Sequence, residues 1–362
     1  MKKFNGFIAF VLAVFCLILG ACGGFYGYLS LHKFNSEVYV SGDLQIHFLE
    51  LGNVYTGDCT YIKAGDTDIL IDAGSRASSI STITSYIDRF VTDGKLEYVI
   101  VTHAHEDHYA GFATNEEVDS LFDIYECEVI IDFARTNQKE DGRLYSNYKR
   151  ELADEIAAGA THYTARECIE QDNDVFQLSA GVTMTILDQR YYYEDASSEN
   201  DYSVCTLITH GDKNFLFTGD LEEKGELSLI EKNTLPEVEV YKAGHHGSKT
   251  SSSPELMEVI KPEIVCVCCC AGSAEYTDTI ENQFPTQIFI DNVAPYTDAV
   301  YVTTLCTKWE SGDGGKEFTS MNGNITITSG LNGISLSFSA DSKKLKDTEW
   351  FKENRSCPEA WK

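Results

Sequence analysis

The chain has 362 residues, 43% of them hydrophobic, with 57 acidic against 28 basic side chains and a formal net charge of −29. That length holds one large domain or two small ones with a full apolar core, and that charge makes a soluble, self-repelling surface. It argues against a broad nucleic-acid footprint, which needs a basic face.

The chain opens on MKKFNGFIAFVLAVFCLILGACGG. Lys2 and Lys3 precede an uncharged apolar run from Phe4 to past Leu19, and small residues follow, which is the pattern of a secretory signal. LGAC at 19–22 also resembles a bacterial lipobox, with Cys22 as the lipidated residue. A retained membrane helix is the rival, because charge does not return until Lys33 and such a run can span a bilayer. The predicted organisation is a signal peptide or membrane or lipid anchor over 1–22, a linker over 23–42, one folded domain over 43–338 and a loosely attached polar tail over 339–362. Either reading places the folded part outside the cytoplasm, tethered or released.

Strands are predicted at about 44–51, 58–64 and 67–72, a helix at 77–91, and a strand at 97–102 that leads into VTHAHEDHYAGF. CEVIID (127–132) reads as a strand and 144–159 as an amphipathic helix. Strands follow at 182–188, 203–209 and 214–218, then a helix near 222–232 and the strand VEVYKA (238–243), which precedes GHHGSKTSSS. A helix, the cysteine-rich run IVCVCCC (264–270), the strand 298–304 and a closing hairpin from GNITIT and ISLSFS complete the series. Twelve cysteines in an exported chain suggest disulfides. Yet Cys59, Cys127, Cys205, Cys266 and Cys268 lie inside apolar strand-like runs, where cysteine acts as a small hydrophobe. Pairing of Cys269 or Cys270 stays open. The element order fits one α/β domain with sheets inside and helices outside.

Three loops that each leave a strand carry the chemistry. His103 and His105 are one residue apart and point the same way in an extended segment; Asp107 and His108 follow and face a neighbouring position. Imidazole with carboxylate suits zinc, iron or manganese. Asp220 in NFLFTGDL and His245–His246 in AGHHGS sit just beyond two further strands. The remaining histidines, His32, His47, His162 and His210, lack such settings.

The H-x-H-x-D-H run, the TGD aspartate and HHGS resemble the metallo-β-lactamase superfamily, and in particular its ComEC-like hydrolase branch, over roughly residues 43–330. LELGNVYTGDCTYIKAGDTDILIDAG, with Gly57–Asp58 and Asp72, resembles that branch's opening strands, and NDYSVCTLI resembles its asparagine–serine motif. The phosphorylcholine esterases share the layout. The resemblance implies an αββα sandwich with a dinuclear site for two divalent metal ions, Zn or Mn. His103 and His105 would bind the first metal, Asp107 and His108 the second, and Asp220 would bridge them. His246 would be the ligand of the histidine pair, with His245 and Asp107 as candidates for catalysis. The superfamily's third histidine for the first metal is missing; His210 is on the order of 20 Å away at strand rise, so Asn200 or Ser203 occupies that corner and faces substrate. DHYAG has Ala110 where the family prefers glycine, and the later histidine–proline motif is reduced to NQFP (282–285).

Two cations outweigh Asp107, Asp220 and a hydroxide, so the pocket is net positive and suits a developing oxyanion. Ser248 and Lys249 either offer a hydroxyl and a charge to phosphate or form a polar loop before the helix at Pro254. The expected function is an extracytoplasmic metal-dependent hydrolase of a small-molecule or polymeric phosphodiester, either nucleic acid, which the charge disfavours, or a cell-envelope phosphoester. A lactam or lactone hydrolase and a non-catalytic binding protein with a degenerate metal site are the alternatives.

Overall fold

The computed structural model describes residues 44–114, 118–310, 315–330 and 333–362. The signal, anchor and linker expectations fall on 1–42, outside the described residues. No described helix is long and apolar enough to cross a membrane.

Sixteen strands are present among the described residues. The first six are β1 (Leu44–Phe48), β2 (Thr60–Ala64), β3 (Thr67–Ile71), β4 (Lys95–Ile100), β5 (Glu126–Asp132) and β6 (Thr161–Thr164). Next come β7 (Val175–Ser179), β8 (Val182–Leu187), β9 (Cys205–His210), β10 (Lys213–Phe217), β11 (Val240–Lys242) and β12 (Ile264–Ala271). The last four are β13 (Val300–Trp309), β14 (Lys316–Ser320), β15 (Ile325–Gly330) and β16 (Gly333–Phe338). They form two eight-stranded sheets, in the orders β16-β15-β1-β2-β3-β4-β5-β6 and β14-β13-β12-β11-β10-β9-β8-β7.

The first sheet is antiparallel at one side and parallel at the other, and the second is parallel in its middle with antiparallel strands on both flanks. β3 to β6 run parallel in the first sheet, and β10 to β13 in the second. Parallel neighbours need crossovers, and the helices Ile80–Ile87, Arg143–Ala158, Glu223–Lys232 and Pro254–Ile260 supply them on the outer faces. A parallel strand buried on both faces reads as an unbroken apolar run. IVCVCCCA is such a strand: from Val265 to Ala271 every residue is buried, and the described cysteines are all free thiols. Between the sheets lies a core that includes Ile46, Phe48, Ile62, Phe215 and Phe217, with the Phe48 and Phe217 rings stacked at 6.1 Å. A second core fills the space between the second sheet and its helices.

All the predicted strands form, within a few residues of their expected ends. β6, β7 and β14 go beyond the prediction. Thr161–Thr164 and the fully exposed Lys316–Ser320 are too polar to show a period-two apolar pattern.

The loose tail does not hold. Residues 345–361 dock on the second core through Leu345 (0% exposed), Phe351 (1%) and Trp361 (4%). The Trp361 indole donates to Thr297 O at 2.8 Å, and Lys346 pairs with Asp298 at 2.7 Å. Wide spacing among charged residues hides these anchors from a composition argument. Phe351→Ala should lower unfolding free energy by about 3–5 kcal/mol, read as a denaturant midpoint. A loss below about 1 kcal/mol would put the segment outside the cooperative core.

Candidate metal centre

The histidine-rich loop starts where β4 ends, and Asp72 fixes its shape. Just beyond β3, Asp72 accepts the Thr102 N–H at 2.8 Å and the Thr102 hydroxyl at 2.7 Å, and it meets His108 Nδ1 at 2.7 Å. That contact assigns the His108 proton to Nδ1 and leaves Nε2 with its lone pair inward, the arrangement that carboxylates give to metal-binding imidazoles. The β1–β2 loop crosses underneath: Asp58 N donates to Asp107 O at 3.0 Å, and Gly74 N to Asp58 O at 2.9 Å. A Cβ on Gly74 would lie 1.6 Å from Asp107 O, so only glycine lets these chains pass.

Because β10 and β11 pair in parallel with Phe217 opposite Lys242, the residues just past their ends are neighbours. Those residues are Asp220 and His246. His246 Nδ1 faces Cys268 O at 2.8 Å, which turns Nε2 toward the centre. Asp220 Oδ2 lies 3.1 Å from His108 Nε2 and 3.3 Å from His246 Nε2, and Asp107 Oδ2 lies 3.4 Å from His246 Nε2. Donors of a tetrahedral ion bound at about 2.0–2.1 Å stand about 3.3 Å apart. His108 Nε2, His246 Nε2 and Asp220 Oδ1 are buried and make no hydrogen bond of good geometry. Buried polar atoms without partners need an explanation, and a divalent cation among them supplies one.

Asp58 closes the cluster: one ligand atom each from Asp58, His108, Asp220 and His246 lies within 4.8 Å of the others. It is also committed elsewhere. Lys242, 3% exposed, ion-pairs with Asp58 Oδ2 and stands 3.9 Å from Asp220 Oδ1, while Asp58 Oδ1 sits 3.3 Å from His246 Nδ1. Asp58 is therefore an outer partner that links Lys242 to His246.

The electrostatics say the same. Burial alone would lower the His108 pKa, but Asp220 and Asp72 overcome it and hold it at about 10; His246 is raised by Asp220 and Asp58 against the same burial. Burial would raise Asp107 and Asp220, but the neighbouring imidazoles pull both below the usual carboxylate range. The acids stay ionised because positive charge is placed among them. A divalent cation held there would supply that charge and leave the imidazoles neutral.

The structure therefore brings Asp107, His108, Asp220 and His246 into one group. His103 is beside them, its ring 4.2 Å from that of His108. Burial, and after it the His108 charge, depresses its pKa and keeps it neutral. His105 lies against His103, with Nδ1 3.0 Å from His103 Nε2. Ser203 is fully buried and its hydroxyl accepts the Asp220 N–H at 3.0 Å, so it supports the loop rather than facing a substrate. Asn200 donates to Glu222 at 3.0 Å and is 3.5 Å from His245 Nδ1. His245 is half-buried, 3.9 Å from Asp220 Oδ2 and 3.1 Å from the Thr250 hydroxyl. Ser248 is buried in its own turn against Thr250, and Lys249 is exposed and bonded to Asn282. His210 is bound to Ser329 across the two sheets, away from the cluster.

Sequence reasoning missed Lys242 and Tyr276, whose hydroxyl donates to Asp107 Oδ2 at 2.5 Å, and gave Asp58 and Asp72 no role. A lysine inside the apolar strand VEVYKA was the available signal for Lys242.

Residues 52–117 match the Metallo-beta-lactamase superfamily domain. Recombination protein 2 of Haemophilus influenzae is 28% identical over 228 residues, 62% of this chain and 24% of its own length. ComE operon protein 3 of Bacillus subtilis is 24% identical over 176 residues, 47% of this chain and 19% of its own. The chain thus spans about a quarter or less of these relatives. Among solved structures, the metallo-beta-lactamase fold protein YhfI from Bacillus subtilis aligns with a TM-score of 0.44 at 11% identity, covering 77% of this chain and 100% of that one. The domain match spans Asp58, Asp72 and the 103–108 histidine loop of the cluster, and over part of its length the chain is similar to ComEC-like competence and recombination proteins.

Proposed function

We propose that the chain is a metal-dependent hydrolase acting on phosphodiesters outside the cytoplasm. The observation that carries this is the pair of buried, inward-facing imidazole nitrogens, His108 Nε2 and His246 Nε2, which converge on Asp220 and have no hydrogen-bond partner among the described residues. The extracytoplasmic side rests on the basic-then-apolar start of the sequence.

Asp107, His108, Asp220 and His246 would hold a cation tightly, because their donors are already spaced for one. His103 and His105 would hold a second more weakly, offering two nitrogens where the first group offers four donors. A bound divalent cation supplies Lewis-acid polarisation of a phosphoryl oxygen and lowers the pKa of water. The chain's own residues do the rest. Asp72 and the Cys268 carbonyl orient the two imidazoles. His245, on the open side of Asp220, is placed to donate a hydrogen bond to a phosphoryl or leaving-group oxygen, with Thr250 and Asn200 fixing its ring.

The purified chain, titrated with zinc or manganese, is expected to take up one ion tightly and a second more weakly. The loaded protein should cleave a bis-aryl phosphate or an aryl phosphorylcholine in preference to a β-lactam panel, with single-stranded DNA as the polymer arm. Lactam turnover without phosphodiester turnover, or failure to retain any metal, would overturn this reading.

A further inference from the structure

Residues 272–286 run from the end of β12 to the helix Gln287–Val293, with one short turn at Ile280–Asn282. Two side chains of this stretch reach the cluster. Tyr276 bonds Asp107 while the residue as a whole stays 56% exposed. The Phe284 ring lies 5.7 Å from both His245 and His246, and 5.8 Å from Tyr276. Together they wall the side of the centre on which His245 faces out. An irregular segment of this length loses much backbone freedom when ordered, so other contacts must hold it.

Part of the hold is local. Gly272 N donates to Phe284 O and Thr286 N to Gly247 O, each at 2.9 Å. Pro285 seats on Gly247, where a Cβ would come within 2.8 Å of the proline ring, so the glycine after His246 makes the approach possible. The remainder comes from the far end of the chain. Arg355 is 9% exposed and forms no ion pair among the described residues. Its guanidinium donates to three carbonyls of the segment: Pro285 O at 2.9 Å, Gln283 O at 2.7 Å and Ile280 O at 3.2 Å. A fourth bond reaches Asn354 O at 2.7 Å, and Trp350 stacks over the group at 4.8 Å. Ser356 and Gln287 exchange two further bonds, at 2.8 and 3.0 Å. A planar, permanently charged fork suits several carbonyls at once in a way that lysine does not.

We propose that Arg355 is a positioning residue for the centre: by clamping the 280–285 carbonyls it fixes Tyr276 and Phe284 as the substrate-side wall, and so makes the C-terminal segment part of the substrate site. The wall's task rests on the phosphodiesterase reading; the clamp itself does not. In the full chain, Arg355→Met should stay folded and bind the same number of zinc ions, because the ligands lie on other loops. Amide exchange across 273–286 should quicken roughly tenfold or more, and KM for bis(p-nitrophenyl) phosphate should rise roughly tenfold with a smaller fall in kcat. Arg355→Lys should recover part of both. A residue that only adds stability would lower the melting temperature and leave loop exchange and KM as in the wild type, which would overturn the proposal. If the wild type turns over no phosphodiester while Arg355→Met still releases the loop, the functional reading fails and the clamp stands. Should Arg355→Met not fold, Gln287→Ala, which removes the two bonds to Ser356, is read by the same exchange experiment, and unchanged protection there overturns the clamp.

Discussion

Asp220→Asn is expected to lower kcat/KM for a phosphodiester by on the order of 10³-fold or more, while the protein stays folded. Asp220 Oδ2 is the atom that His108 Nε2, His246 Nε2 and, at 3.9 Å, His245 Nε2 all face. Asparagine keeps the volume but removes the charge, and its amide presents hydrogens to nitrogens that need a cation. Asp72→Asn gives the comparison. The Asp72 carboxylate bonds the outer nitrogen of His108 and the Thr102 groups and not the inward Nε2, so its loss should cost about 10–100-fold in activity or metal affinity. The order matters more than either value. If Asp220→Asn kept activity within tenfold of wild type, or if Asp72→Asn were the more damaging change, the reacting atoms would not lie where the imidazoles converge. Kinetics at saturating zinc, with metal content measured on the same samples, separates weaker binding from slower chemistry.

What was legible in the sequence follows from how local each signal is. His103, His105, Asp107 and His108 fall within six positions of one loop, and Asp220 and His246 follow strands whose apolar runs mark their ends. The convergence of these loops then follows from parallel pairing, which aligns β10 with β11 and sets Asp220 beside His246. Asp58 and Lys242 were not readable as a pair, because they lie 184 positions apart, one on a loop of the first sheet and the other on a strand of the second, and meet only after the sandwich closes. The bond from the Asp220 N–H to the buried Ser203 hydroxyl was not readable either, since a sequence shows that a hydroxyl is near a loop and not that it is spent on that loop's N–H. The tail was misread for a thermodynamic reason: three buried side chains outweigh many charged neighbours when those neighbours can stay in water.

Lys242→Met should destabilise the metal-free protein by about 3–5 kcal/mol, the usual result of removing one partner from a buried ion pair. Lys242 is at the end of β11, fully within the fold, bonded to Gly219 O at 3.3 Å and paired with Asp58, which is itself 2% exposed. Burial would lower the Lys242 pKa, but Asp58 and Asp220 overcome it and keep the ammonium charged. Methionine keeps most of the stem's packing, so the loss reports the charge and not a cavity. It leaves the Asp58 carboxylate facing only imidazoles, and the double variant Lys242→Met/Asp58→Asn should recover much of the loss, because no uncompensated charge remains. Zinc provides the second half of the argument. With an ammonium removed from 3.9 Å of Asp220, a cation held at that carboxylate feels less repulsion, so the rise in unfolding midpoint on adding zinc should be larger in Lys242→Met than in the wild type. A single variant within about 1 kcal/mol of wild type, or a double variant as unstable as the sum of the two singles, would mean that Lys242 is not the counter-charge of this cluster.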